Sequence, residues 1–190
     1  VFIMYHQITE LYFKLALREF EALGNIQTPT KAHFIDRVTR INRYFDALVK
    51  SFEIMINGMD REEFLKFRMS LLPASGFQSA QYREIEIFST DFINLVAKEQ
   101  REQLREETDL TRLFEHIYWK AGATEVATNK KTLTLIQFEE KYRDQFIALA
   151  NNCRDKNLWQ VYLRLSEADQ ADENVQQALR QNDINVNINW

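Results

Sequence analysis

Residues 34–55 read Phe-Ile-Asp-Arg-Val-Thr-Arg-Ile-Asn-Arg-Tyr-Phe-Asp-Ala-Leu-Val-Lys-Ser-Phe-Glu-Ile-Met. Within this stretch Phe34, Val38, Ile41, Phe45, Leu48, Phe52 and Met55 recur at steps of four and three. That spacing lays one apolar stripe along a helix, so a long helix packed on one side is expected. Thr28 or Thr30 is placed to cap it, and Asn57 with Gly58 to end it.

The same punctuation continues in both directions. The chain has two prolines and four glycines, and each falls where a helical pattern stops: Gly24, Pro29, Gly58, Pro73, Gly76 and Gly122. A first helix is expected from about Phe2 to Leu23, with Leu11, Leu15 and Phe20 turned inward. A short helix should follow from Asp60 to about Leu71, with Asp60 as N-cap and Glu63 as its capping-box partner, and then a long one from Phe77 to about Glu99. Further helices are predicted at about Leu110–Lys120, Thr134–Cys153 and Asp169–Asn182, with Leu158–Leu165 a short apolar segment between the last two. The charged run Lys98–Thr108 reads as a solvated helix face or bend, and Gly122–Lys131 as a loop. No internal repeat stands out and the strand signal is negligible. The predicted fold is all-α, a multi-helix bundle formed as a single helical domain over residues 1–190. Because the sequence starts inside an apolar stretch without an initiating methionine and stops at Trp190, it is expected to be incomplete at both ends.

Composition narrows the function classes. Hydrophobic residues are 45% of the 190, aromatics 13% and charged residues 27%, the balance of a globular protein. No apolar run approaches the roughly 20 residues that a membrane crossing needs. A formal charge of −4 and a pI near 5.5 argue against nucleic acid as a partner, since phosphate binding draws on a clustered basic face and Lys130 with Lys131 do not make one. The single cysteine, Cys153, has no partner for an internal disulfide, which fits a reducing compartment, and a cytoplasmic protein is expected.

Two constellations carry chemistry. The first helix opens Phe2-Ile3-Met4-Tyr5-His6-Gln7 and runs on to Glu10, so Phe2, His6 and Glu10 share a face at steps of four. An aromatic ring, an imidazole and a carboxylate are thereby presented together. His6 also reads as a hydrogen-bonded structural histidine, and His6 with Glu10 as two metal ligands lacking a third. The second constellation is Phe64-Leu65-Lys66-Phe67-Arg68, followed by Leu71-Leu72-Pro73-Ala74-Ser75-Gly76-Phe77-Gln78-Ser79. Proline, small residues and glycine break one helix ahead of the next. Unpaired backbone N–H groups and a serine hydroxyl at such a break, with the two-pronged guanidinium of Arg68 nearby, suit a carboxylate. A plain interhelical turn with Arg68 in a surface ion pair is the competing reading.

Taken together, these motifs resemble a known family. Phe-x-x-x-His-Gln-x-x-Glu-Leu-x-Phe-Lys-Leu at Phe2–Leu15 is similar to the early-helix signature of tryptophan 2,3-dioxygenases. Phe67-Arg68 with Pro73–Ser79 resembles their second signature, and Gln81-Tyr82-Arg83-Glu84-Ile85-Glu86 continues it. The resemblance covers about Phe2–Glu86.

It implies an all-α homotetramer, or dimer of dimers, that uses haem b and O₂ to cleave the indole C2–C3 bond of L-tryptophan and give N-formylkynurenine in tryptophan catabolism by the kynurenine pathway. Carried over by position, His6 matches the distal histidine that accepts the indole N–H, Phe2 the ring packed on the indole, and Arg68 the carboxylate clamp. Leu71 falls on the substrate side; Phe67, Ser75 and Gly76 fall on the haem side. Phe64 stands where many members carry tyrosine, so it keeps the ring and loses a hydroxyl. The family's proximal iron ligand is a histidine shortly after a Trp-Arg-x-Arg segment, and it is expected beyond Trp190. Neither His33 nor His116 has that context, and both read as surface or structural histidines. A haem-free relative that binds an indole or amino acid, or serves as a helical assembly module, is the reading from another class. The apolar opening Val1-Phe2-Ile3-Met4-Tyr5 independently calls for cover, from this chain or another copy.

Overall fold

A computed structural model describes residues 2–58, 60, 62, 65, 79–124 and 130–186. The chain runs through α1 (Phe2–Gly24), α2 (Lys31–Gly58), α3 (Ala80–Ser89), a 3-10 turn (Phe92–Leu95), α4 (Lys98–Arg101) and α5 (Leu110–Glu115). A second 3-10 turn (Tyr118–Ala123), α6 (Leu133–Asn152), α7 (Leu158–Leu163), α8 (Glu167–Gln170) and α9 (Glu173–Val186) complete it. Among the described residues, β pairing is confined to two isolated bridges, Val96 with Ile117 and Thr124 with Lys131. The fold is all-α.

The stripe on α2 builds the centre. Phe34, Val38 and Ile41 are fully buried and Phe45 nearly so, between α1 on one side and α9 on the other. Thr30 is the cap, its Oγ1 accepting from the His33 N–H at 3.3 Å. Past Phe45 the expected stripe departs from the core: Leu48 is half-buried and Phe52 is 55% exposed, although Met55 is buried again. Here α2 runs beyond the elements that cover its first half. The expectation for α1 is also corrected. Phe20 is buried as predicted, but Leu11 and Leu15 are 62% and 47% exposed, and the inward face consists of Ala16, Leu17, Phe20 and Leu23. α1 ends at Gly24, where a Cβ would stand 2.5 Å from the carbonyl oxygen of Lys156, so the loop before α7 is seated directly on the helix end and the position suits glycine.

The long helix expected from Phe77 to Glu99 is interrupted. α3 stops at Thr90, which is extended with φ −152 and ψ 172. Side chains redirect the chain there: the Ser89 hydroxyl donates back to Ile85 O at 2.8 Å, and the Asp91 carboxylate accepts from Asn157 and Gln160. The Ser89 bond competes locally with helix continuation, and the long-range bonds to Asp91 hold the redirected chain, with no proline or glycine involved. The predicted Leu110–Lys120 helix likewise ends early, where Ile117 pairs with Val96 and the Ala97 N–H donates to His116 O at 2.8 Å. α6 is capped by Thr132, whose side chain accepts from Leu135 N–H, and the last predicted helix is split: α8 closes at Gln170, and α9 starts after Asp172, whose carboxylate accepts from Asn174 N–H and pairs with Lys31. Asp60 does accept from the Glu62 N–H at 2.8 Å. Glu63 and most of the predicted Asp60–Leu71 helix lie outside the described residues.

Candidate functional site

His6 stands on the wall of an apolar groove of about 670 Å³ between the N-terminal half of α1 and the C-terminal half of α2. The groove exists because α2 carries Phe52 and Val49 past the covered part of the core. Its floor is aromatic. Phe13 lies between Phe45 and Tyr82, with ring centroids 6.0 and 5.4 Å away, and Tyr5 meets Phe52 edge-on at 6.3 Å. Tyr5 is fixed through its hydroxyl, hydrogen-bonded to Ser51 Oγ at 3.0 Å, and its ring sits edge-on to His6 at 6.5 Å. The groove offers a flat ligand edge and face contacts, with an imidazole at its rim.

Polar groups close the far wall. The Tyr82 hydroxyl donates to Val186 O at 2.6 Å, and burial pushes its pKa up to about 12, so the phenol stays neutral. Asn185 donates to Asn42 Oδ1 at 3.2 Å, and Asn42 in turn donates to Ala178 O at 3.0 Å, which ties α9 to α2.

Behind Tyr82 is a buried ionic cluster. The Arg83 guanidinium pairs with Glu86 at 2.9 Å and lies over the rings of Tyr82 and Trp119, at 4.8 and 5.7 Å from their centroids. The Tyr118 hydroxyl donates to Glu86 and accepts from Arg83 at 3.3 Å. Glu86 is fully buried, and that burial raises its pKa to about 7 even though Arg83 and the Tyr118 hydroxyl both pull it down. Desolvation of the carboxylate outweighs its partners.

Of the residues that the sequence singles out, His6 is in the groove and Phe2 opens α1 one turn before it. The side chain of Phe2, and all of Phe64, Phe67, Arg68, Leu71, Ser75 and Gly76, lie outside the described residues. His33 is exposed at the start of α2, where its Nδ1 accepts from Thr30 N–H, and His116 is the C-cap of α5; neither lines the groove. Glu10 spends both carboxylate oxygens on Ser79 and Gln81. Groove residues that the sequence reading left unassigned are Tyr5, Phe13, Phe52 and Tyr82. Tyr82 is inside a quoted motif, and its neighbours' chemistry was the available signal. A second, smaller cavity of about 340 Å³ lies between the end of α3 and α7, away from His6; of its lining acids Asp91, Glu107 and Asp155, Asp91 accepts from Asn157 and Gln160 and Glu107 pairs with Arg112.

These apolar and aromatic walls suit a flat macrocycle or an indole. Among the described groove residues His6 is the one imidazole. The described chain is all-helical and carries an apolar, largely aromatic groove with a histidine on its wall. The profile described as Tryptophan 2,3-dioxygenase matches residues 1–187, and the chain belongs to that family. A protein named tryptophan 2,3-dioxygenase from Nocardioides sp. is 39% identical over 97 residues, covering 47% of this chain and 35% of that relative. Tryptophan 2,3-dioxygenase 2 of Ralstonia nicotianae is 43% identical over 93 residues, covering 46% and 25%, and tryptophan 2,3-dioxygenase of Shewanella woodyi 33% over 112, covering 56% and 38%. The chain thus spans well under two thirds of the length of the curated relatives it matches. No solved structure matches it.

Proposed function

We propose that the chain forms the substrate-facing side of a haem-dependent dioxygenase that converts L-tryptophan and O₂ to N-formylkynurenine. The observation that carries this reading is the position of His6, on the rim of an aromatic groove on the helix that bears the family's first signature. In its neutral form the His6 imidazole accepts the indole N–H and orients the ring. Phe2 packs on the indole face, and Phe64 and Leu71 complete the apolar surround. Arg68 grips the substrate carboxylate with its two-pronged guanidinium, which fixes the amino-acid end. With phenylalanine at position 64 that grip lacks a tyrosine hydroxyl. Phe67, Ser75 and Gly76 are assigned to the haem side. Haem, when bound, supplies activation of O₂, and the protein supplies orientation and exclusion of water. His6 is assigned to substrate, and neither His33 nor His116, which stand outside the groove, is assigned a role toward haem.

Assembly is part of the proposal. Met4, Ile8, Leu11 and Leu15 are 67%, 48%, 62% and 47% exposed along α1, an apolar row that a homo-oligomer, a tetramer or dimer of dimers, would cover. No described helix is long and apolar enough to cross a membrane, and the cytoplasm is the proposed site of action. The test is haem reconstitution of the full-length protein. A Soret band and tryptophan-dependent turnover that Arg68→Ala lowers by about a hundredfold or more are expected, on the scale of a lost positioning contact. Full-length protein that takes up no haem would overturn the reading.

A further inference from the structure

We propose that Glu10 is a positioning residue that clamps the second motif onto the helix carrying His6, so that the grip on the substrate carboxylate and the acceptor for its indole hold a fixed separation. This rests on the functional reading above.

The two motifs are far apart in sequence and are joined through one side chain. Glu10 lies one helical turn after His6 on α1. Its Oε1 accepts from the Ser79 hydroxyl at 2.7 Å, its Oε2 accepts from Gln81 Nε2 at 2.6 Å, and its own carbonyl accepts from the same Gln81 amide at 3.1 Å. Ser79 is the last residue of the Pro73–Ser79 motif and Gln81 follows two residues later. The Ser79 hydroxyl is used twice, because it also accepts from the Tyr82 N–H at 3.2 Å and so caps α3. The cap of α3 is therefore oriented by a carboxylate from α1. Hydrogen bonds to an ionised acceptor are short and directional, which makes the joint stiff. Tyr82, whose amide closes this cap, also lines the groove with His6. One carboxylate thus sets α1, the motif's exit and a groove wall against one another. Ser79 and Gln81 thus make two hydrogen bonds to the Glu10 carboxylate and one to its backbone carbonyl, more than a surface glutamate needs.

The consequence is specific to ligands that use both ends of the site. In full-length protein, Glu10→Leu keeps the bulk of the side chain and removes both carboxylate acceptors, so Ser79 Oγ and Gln81 Nε2 lose that partner and the joint loosens. Calorimetric titration should show L-tryptophan binding weakened by about tenfold or more, while indole, which has no carboxylate, changes by less than about twofold, because misplacement costs a two-point ligand far more than a one-point ligand. Glu10→Gln, whose amide oxygen still accepts from Gln81 Nε2 and whose amide N–H can donate to the Ser79 hydroxyl oxygen, should keep most of the L-tryptophan affinity. Hydrogen exchange at the amides of Tyr82 and Arg83, which donate to Ser79 Oγ and Ser79 O, gives a readout independent of ligand, and should quicken in Glu10→Leu and stay close to wild type in Glu10→Gln. Equal losses for L-tryptophan and indole in Glu10→Leu, or a Glu10→Gln protein as impaired as Glu10→Leu in binding and exchange, would overturn the clamp. Wild-type protein that binds neither ligand overturns the functional reading and the proposal's link to substrate, while exchange still decides whether Glu10 holds the cap.

Discussion

Replacing Glu86 by glutamine tests whether the buried Arg83–Glu86–Tyr118 cluster is held as an ion pair or as a neutral acid against a cation. The carboxyl is raised from 4.5 to about 7, with burial the largest cause and Arg83 and the Tyr118 hydroxyl opposing it. A carboxyl that binds its proton more tightly when folded contributes stability that is complete below the unfolded value and is lost as pH rises through the folded one. Glutamine imitates the protonated form at every pH. The difference in stability between Glu86→Gln and wild type should therefore move in the variant's favour from about pH 4.5 to about pH 7 and level off above it. At about 1.4 kcal/mol per pH unit, the rise from 4.5 to about 7 corresponds to roughly 3 kcal/mol in all. Urea unfolding followed by circular dichroism at intervals from about pH 4 to about pH 8 measures it, and comparing the two proteins cancels titrations that they share. If the variant instead loses ground as pH rises, the ionised pair with Arg83 dominates and the assignment to desolvation is wrong. The absolute offset between the two proteins does not bear on the question.

Gly24→Ala should destabilise the protein by about 1–2 kcal/mol in the same unfolding assay, because a methyl 2.5 Å from Lys156 O forces backbone apart while alanine's helix preference returns only part of the cost; a stabilised variant would mean that this approach is absent. Cys153 is buried, and that burial raises its thiol to about 12, so iodoacetamide at about pH 8 should leave the native protein unmodified and label it fully in denaturant. Prompt labelling of native protein would place the thiol at the surface.

Helix existence was legible from periodicity, and helix limits were not where side chains, rather than proline or glycine, do the breaking. Phe34, Val38, Ile41 and Phe45 announce the core face of α2 because both partners of that face are present. Phe52 carries the same periodic signal yet is exposed, since spacing tells which side of a helix is apolar and not what covers it. Thr90 shows the other limit: the stop of α3 depends on Asp91 reaching Asn157 and Gln160, contacts made across 66 and 69 positions of chain. The site divides similarly. His6 and the Pro73–Ser79 motif could be read locally, because residue types at helical spacing already state their chemistry. The bond from Ser79 to Glu10 spans 69 positions, and no local pattern contains it.

α1 explains why groove and assembly belong to one reading. At about 100° per residue, Tyr5, Thr9, Phe13, Ala16 and Phe20 face one direction, while Met4, Ile8, Leu11 and Leu15 face another about 130° round the helix. The first row packs on α2 and α3 or lines the groove; the second is solvent-exposed in the described chain. Both rows keep helical spacing over at least three turns, which a helix lying on a protein's surface has no physical need to do on its outer side. A helix apolar on two faces is stable between two layers. His6 and Glu10 lie along the flank of the inner row, away from the outer one. The residues assigned to substrate and its positioning are therefore mounted on an element whose second face is available to a further layer, and covering that face would stiffen the site without touching its chemistry.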